Sequence, residues 1–121
     1  MFESLITLLF LLIAGHMLAD FALQNDWVAT NKNRHARDKY NIDEQDKMEK
    51  IWPWLLTAHC FHHGLLVFLF TQKLSLGILE TIVHWLIDFG KSENYYGFHT
   101  DQVLHIVSKV VWISLLYYQI V

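Results

Sequence analysis

Four apolar segments limit what this chain can fold into. They cover residues 5–24, 52–71, 74–90 and 101–121 of the 121-residue sequence, and one polar stretch, residues 25–51, separates the first two. A helix of about 20 apolar residues crosses the hydrocarbon core of a bilayer. Only helices or closed barrels satisfy every backbone polar group in lipid. The sequence therefore predicts an all-α protein, a four-helix transmembrane bundle with up-down-up-down topology in a single membrane domain.

Composition excludes several other classes of protein. Hydrophobic residues make up 54% of the chain and charged residues 17%. The single cysteine excludes an internal disulfide framework and a multi-cysteine zinc module. The formal net charge of −3 provides no overall basic surface, so no nucleic-acid partner is expected. A signal peptide is the alternative for the first segment, but the residues ahead of it include Glu3 and no Lys or Arg.

The ends of the helices and their orientation follow from local signals. Pro53 fits the first turn of the second helix, and Thr100 or Asp101 is expected to cap the fourth. Short connections after the second and third helices predict antiparallel neighbours. The polar stretch 25–51 holds six of the nine Lys and Arg residues, which places it in the cytoplasm and both termini outside.

Each predicted helix carries one pair of ionisable residues four positions apart. The pairs are His16/Asp20, His59/His63, His84/Asp88 and Asp101/His105. Residues at this spacing lie on one face of a helix, about one turn apart, and both can reach one metal ion, as in HExxH sites. One HxxxD pattern arises often by chance, whereas one pair in each of four helices is a far more specific signal.

The topology predicts that the four pairs meet at one level. The pairs fall near the end of the first and third helices and near the start of the second and fourth. In an up-down-up-down bundle those positions form one layer, roughly 5–15 Å below the cytoplasmic interface at a rise of 1.5 Å per residue. Ionisable side chains at such a depth are costly and usually face the bundle interior.

The chemistry of this layer favours a divalent metal. Imidazoles and carboxylates suit Zn²⁺, and also Mn²⁺ or Fe²⁺, while the lack of thiolates argues against an iron–sulfur cluster. Eight residues exceed the four that one zinc ion needs, so one or two ions, or ligands with supporting residues, are expected. The alternative is a metal-free polar network in which each histidine bonds an aspartate across helices.

Three further histidines lie outside the four pairs. His62 lies beside the His59/His63 face and is an alternative ligand, and His99 precedes the fourth helix and is an alternative residue for the mouth of the site. His35 lies in the polar stretch and is expected to be solvated.

Four other polar residues and the cysteine complete the prediction. Gln24 and Lys32, at the membrane edge, are expected to steer an anionic substrate. Lys109 is expected either to bind a phosphate or carboxylate or to neutralise Asp88 or Glu80. Glu80 is an alternative ligand, proton acceptor or partner of Lys109. Cys60 is expected to be a small packing residue.

The sequence resembles DUF3307, a bacterial and phage family of small integral membrane proteins of unknown function. The resemblance lies in residues 15–27 (GHMLADFALQNDW), in His59 and His63-Gly64, in residues 84–88 (HWLID) and in residues 101–105 (DQVLH). It touches all four predicted spans and implies a location in the bacterial inner membrane. The pattern is also similar to membrane-bound metal-dependent hydrolases of the YdjM type, which implies hydrolysis of a lipid or another membrane-associated substrate.

Two classes of function therefore stay open. The first is a metal-dependent hydrolase in which Asp20 or Asp88 acts as the general base. The second is a non-catalytic, metal-stabilised membrane module, or a carrier of metal ions or protons, because intramembrane His/Asp sets also mark ion pathways. A homodimer is compatible with either class.

Overall fold

The computed structural model describes residues 2–36 and 51–121, and the regular secondary structure in these ranges is helical. The helices are α1 (Phe2–Met17), which continues as a π-helical turn (Leu18–Ala22), α2 (Asp26–Asn31), α3 (Trp52–Thr71), α4 (Leu74–Ser92) and α5 (Phe98–Tyr117). The all-α prediction is confirmed. The short helix α2 lies in the predicted polar stretch 25–51, of which residues 37–50 fall outside the described residues.

The bounds of the helices differ from the predicted ones mainly at α5. Gly97 has an extended backbone and is the residue before the first turn, so α5 begins at Phe98, and the prediction that Thr100 or Asp101 caps it is wrong. Asp101 instead lies in the first turn with its side chain buried. Pro53 does lie in the first turn of α3, as expected. Gln72 ends α3 in the left-handed region, at φ 56°.

The π-helical turn at the end of α1 carries Asp20. The Leu23 N–H donates to the Leu18 carbonyl, a bond five residues back, at 2.9 Å. Such a turn widens the helix locally, and π-turns often occur at functional sites. It changes the direction in which Asp20 leaves the helix relative to a regular α-helical turn.

Two glycines bring α3 and α4 into close contact. A Cβ atom on Gly64 would lie 2.0 Å from Thr81 Oγ1 and 2.6 Å from the Gly77 carbonyl oxygen. A Cβ atom on Gly77 would lie 2.9 Å from the Gly64 carbonyl oxygen. Small residues at helix crossings allow this approach of the two backbones. Helix α1 also packs against α3 and α5, α4 packs against α5, and α2 and the π-helical turn contact α3.

The interior of the bundle changes from apolar to polar along its length. The apolar end is built from Leu12, Val67, Leu76 and Trp112. Toward the other end, histidines and charged side chains replace this core. Among the described residues the buried polar or charged side chains are His16, His59, His63, Glu80, His84, Asp88, Asp101, His105, Ser108 and Lys109.

Two of the described helices are long and apolar enough to cross a membrane. These spans are Glu3–Ala22 and Trp52–Thr71, with mean hydropathies of 2.0 and 1.3. Helices α4 and α5 do not match a typical span in composition, because α4 carries Glu80 and Asp88 and α5 carries Asp101 and Lys109. Composition therefore supports two spans, fewer than the four predicted from the apolar segments.

Candidate metal centre

The four polar pairs converge inside the bundle at one level. The eight residues are His16 and Asp20 from the end of α1, His59 and His63 from α3, His84 and Asp88 from α4, and Asp101 and His105 from α5. All are buried except Asp20, which is half-buried. Three subsets of these residues place their ligand atoms close enough together to hold a metal ion.

The first subset contains one carboxylate and three imidazoles. Asp20 Oδ1 lies 3.0 Å from His63 Nε2, 3.3 Å from His59 Nε2 and 3.9 Å from His84 Nε2. The Nε2 atoms of His59 and His84 are 3.3 Å apart. Four ligands bound tetrahedrally at about 2.0–2.1 Å lie about 3.3–3.4 Å from one another. The observed separations surround that value, so the four side chains could hold one tetrahedral ion.

Two of these ligand atoms favour a metal site over a set of hydrogen bonds. Asp20 Oδ1 and His63 Nε2 are buried and lie 3.0 Å apart, but their geometry does not meet that of a hydrogen bond. Buried polar atoms without partners are costly, and a cation between these atoms would satisfy them. The donor set fits a divalent metal.

A second subset contains two carboxylates and one imidazole. His105 Nε2 lies 3.1 Å from Asp88 Oδ1 and 3.4 Å from Asp101 Oδ1. Asp101 Oδ1 is buried and has no hydrogen-bond partner. The third subset, His16 with His84 and His105, lies between the other two.

Gln102 holds His16 and Asp20 in place, a contact that sequence reasoning missed. Its side-chain oxygen lies 3.1 Å from His16 Nε2, and its nitrogen donates to Asp20 Oδ2 at 2.9 Å and to Asp101 Oδ2 at 3.2 Å. The residue lies next to Asp101 in the sequence, which is the one signal that could have found it. Supporting groups of this kind orient metal ligands and fix their tautomers.

A buried ion pair supports the centre from the apolar side. Glu80 accepts hydrogen bonds from Lys109 Nζ at 2.5 Å and from Trp112 Nε1 at 2.6 Å. Glu80 Oε1 also lies 3.3 Å from His84 Nδ1. A proton on Nδ1 leaves His84 Nε2 free as a ligand. Of the alternatives for Glu80 and Lys109, the structure therefore places them as partners of each other.

The partly exposed side of the cluster, at Asp20 and Asp88, is its mouth and faces the segment around α2. Lys32 Nζ lies 2.6 Å from Asp88 Oδ2, and the side chains of Lys32 and Asp20 are 12% and 10% exposed. Gln24 donates to the Asp20 carbonyl oxygen at 3.1 Å. Gln24 and Lys32, both predicted to contact substrate, thus lie beside the ligands Asp20 and Asp88. Lys109, the third residue predicted for this role, lies on the far side of the cluster.

The remaining histidines stay outside the cluster. His62 and His99 are exposed, and neither faces the ligand atoms. His35 is exposed and bonds Glu93, so it is solvated but also paired. Cys60 is fully buried among the helices, in agreement with a packing role.

An ion pair ties the α2 segment to the turn after α4. Arg34 forms a two-pronged contact with Glu93, and its Nη2 atom donates at 2.7 Å. The hydrogen bonds from Arg34 hold the pKa of the Glu93 carboxyl below its usual value. The contact fixes the segment that carries Lys32 against the bundle.

Fold and site together define a helical bundle with a buried histidine and carboxylate cluster that can hold a metal ion. The chain belongs to the family described as "Protein of unknown function (DUF3307)", which matches residues 8–120. This match covers all eight converging residues. The chain matches no curated protein and no solved structure.

Proposed function

We propose that this protein is a metal-dependent hydrolase of the membrane, which binds Zn²⁺ or a similar divalent ion and acts on a lipid or another membrane-associated substrate. The observation that carries the proposal is the first subset of ligands, Asp20 with His59, His63 and His84. Their atoms lie at separations typical of tetrahedral coordination, and two of them are buried without hydrogen-bond partners.

A membrane location is supported by the distribution of polarity, in which apolar side chains face outward and charged side chains face inward. Apart from Ser75 in its first turn, the exposed residues of α4 are large and apolar, namely Leu74, Ile78, Ile82 and Leu86, and each of these four is more than half exposed. Large contiguous apolar surfaces mark contacts with membranes or partners. The charged residues that lower the hydropathy of α4 and α5 face inward, where ionisable groups of membrane helices normally lie. We therefore propose that α1, α3, α4 and α5 all cross the bilayer.

The proposed orientation places the metal centre near the cytoplasm. Residues 25–36 of the polar stretch and the turn between α4 and α5 share one side of the bundle, joined by the contact of Arg34 with Glu93. The positive-inside rule assigns this side to the cytoplasm of the inner membrane and both termini to the outside. The mouth beside Lys32 then opens toward lipid headgroups of the inner leaflet.

The site has the groups that hydrolysis requires. A bound divalent ion supplies a Lewis acid and lowers the pKa of a coordinated water. Asp88 lies outside the first subset, 3.4 Å from His59 Nε2, and is our preferred general base, with Asp20 as the other candidate. Each lysine is paired with a carboxylate, but the Lys32 side chain is 12% exposed and that of Lys109 only 1%, so we assign the binding of an anionic headgroup to Lys32.

A non-catalytic module stabilised by metal is the second proposal, favoured by the low exposure of the ligands. A carrier of ions or protons has less support. Beyond Glu80 and Lys109 the interior closes with Leu12, Val67 and Leu76, so no row of polar side chains continues to the far end of the described helices.

Metal analysis of the purified, detergent-solubilised protein tests the proposal. We expect at least one Zn²⁺ per chain, loss of that ion in His63→Ala, and no change in His62→Ala. His62 is the matched control because it is the adjacent histidine on α3 but is exposed. A metal content near zero in the unmutated protein would contradict metal binding.

Incubation with labelled lipids of each headgroup class tests the enzymatic part. We expect turnover that requires metal and falls at least tenfold in Lys32→Ala for anionic headgroups only. Metal binding without turnover on any class would favour the non-catalytic module.

A further inference from the structure

We propose that the cluster holds two metal ions, the second bound by Asp88, Asp101 and His105. The inference rests on the proposed function, because it takes the first ion at Asp20, His59, His63 and His84 as given. It adds a second site of different donor chemistry and a bridge between the two. With both ions bound, Asp88 is a metal ligand and does not act as the free general base of the one-ion site.

The carboxylate of Asp88 faces both groups of ligands. Its Oδ1 atom lies 3.1 Å from His105 Nε2, and its Oδ2 atom lies 3.4 Å from His59 Nε2. The two oxygens of one side chain thus point to ligands of two different ions. This is the arrangement that a bridging carboxylate requires.

Asp101 supplies the second, independent observation. The residue is 1% exposed, and its Oδ1 atom has no hydrogen-bond partner. That oxygen lies 3.4 Å from His105 Nε2, which is already within 3.1 Å of Asp88 Oδ1. One imidazole nitrogen carries at most one proton, and sharing it between two carboxylates leaves each with only a weak bond. A cation among the three side chains would satisfy all of them.

The positive side chains near the second group do not replace that cation. Lys91 Nζ lies 3.8 Å from Asp101 Oδ2, on the opposite oxygen from the unpartnered one. Lys32 Nζ lies 2.6 Å from Asp88 Oδ2, again not on the oxygen that faces His105. Both lysines approach from the partly exposed side, and neither is placed against Asp88 Oδ1 or Asp101 Oδ1, the oxygens that face His105 Nε2.

The two sites differ in the ions that they would prefer. Three imidazoles and one carboxylate suit Zn²⁺, whereas two carboxylates and one imidazole form a harder donor set that also accepts Mn²⁺. With three protein ligands, the second site leaves open coordination positions for water or substrate oxygens. The first site, by contrast, has four protein ligands, and the Asp88 bridge would be its fifth.

The stoichiometry of bound metal tests the second site separately from the first. With Zn²⁺ as the probe, we expect two ions per chain in the unmutated protein and one in Asp101→Asn. Asp26→Asn, which changes an exposed aspartate of α2, is expected to keep two. One ion in both the unmutated protein and Asp101→Asn would overturn the second site and leave the proposed function intact. No ion in the unmutated protein would overturn both.

Electron paramagnetic resonance of the Mn²⁺-loaded protein, after unbound Mn²⁺ has been removed, tests the bridge. We expect an exchange-coupled signal in the unmutated protein and the simple six-line signal of an isolated ion in Asp101→Asn. An uncoupled signal in the unmutated protein at two Mn²⁺ per chain would show that Asp88 does not join the two ions.

Discussion

Glu80 Oε1 lies 3.3 Å from His84 Nδ1 and 2.5 Å from Lys109 Nζ, so one carboxylate orients a proposed metal ligand and neutralises a buried ammonium. The two roles can be separated by substitution. Loss of a partner that orients a metal ligand typically lowers affinity by about 10–100-fold. Loss of one member of a buried ion pair typically costs about 3–5 kcal/mol.

Glu80→Gln is therefore expected to lower both the metal affinity and the free energy of unfolding. Adding Lys109→Met to it removes the unpaired ammonium and should restore much of the stability while the affinity stays low. Competition with a chelating dye measures the affinity, and unfolding in detergent measures the stability. If affinity and stability recover together in the double variant, Glu80 acts on His84 only through the general stability of the bundle.

The contact of α3 with α4 predicts a strong effect at one glycine. In Gly64→Ala the new Cβ would meet the Gly77 carbonyl oxygen at 2.6 Å, so the two helices must move apart. Overpacking of this kind costs about 1–3 kcal/mol. Gly97→Ala is the control, because nothing lies within 4 Å of the Cβ there. Thermal unfolding should show a clear loss of Tm in Gly64→Ala only, and equal effects would contradict the close crossing.

The contact of Arg34 with Glu93 predicts a defined dependence on pH. The pKa of Glu93 is lower in the folded protein, so the contact stabilises the fold above the ordinary carboxyl pKa. This contribution is lost as the pH falls through the lowered value. The difference in unfolding free energy between the unmutated protein and Arg34→Ala should therefore be largest at neutral pH and shrink on acidification. A difference that does not change with pH would mean that Arg34 stabilises the segment by packing alone.

The proposed crossing of the membrane by α4 predicts the effect of a charge on its outward face. Ile78 is 52% exposed near the middle of the face that we assign to lipid. An arginine at the centre of a spanning helix costs about 2.5–3.5 kcal/mol on insertion scales. Ile78→Arg should reduce the amount of protein inserted in membranes, whereas Tyr95→Arg, in the turn after α4, should not. Normal insertion of both variants would contradict a lipid-facing α4.

Much of the candidate centre is predictable from spacing. His16/Asp20, His59/His63, His84/Asp88 and Asp101/His105 each lie on one helix face, and alternating helix directions bring the four faces to one level. This reasoning needs only helix periodicity and short connections. It does not use the angle by which each helix is rotated about its axis, and for that reason it left the roles of Glu80 and Lys109 open.

The start of α5 shows a second limit of prediction from the sequence. Thr100 and Asp101 have the side chains of good capping residues, yet the helix begins after Gly97. Burial in the cluster decides the position of the Asp101 side chain, and this tertiary effect outweighs a capping preference worth about 1 kcal/mol. The π-helical turn that carries Asp20 has no comparable sequence signal.

The sequence by itself determined the helical class of the protein, the apolar segments and the identity of the residues that converge, because these depend on periodicity along single helices. Only the tertiary structure decided which atoms meet. Asp88 lies between His59 and His105, Gln102 holds His16, and Glu80 pairs with Lys109 through contacts between different helices. Such contacts depend on the rotation and separation of packed helices, which the close approach of Gly64 and Gly77 helps to set.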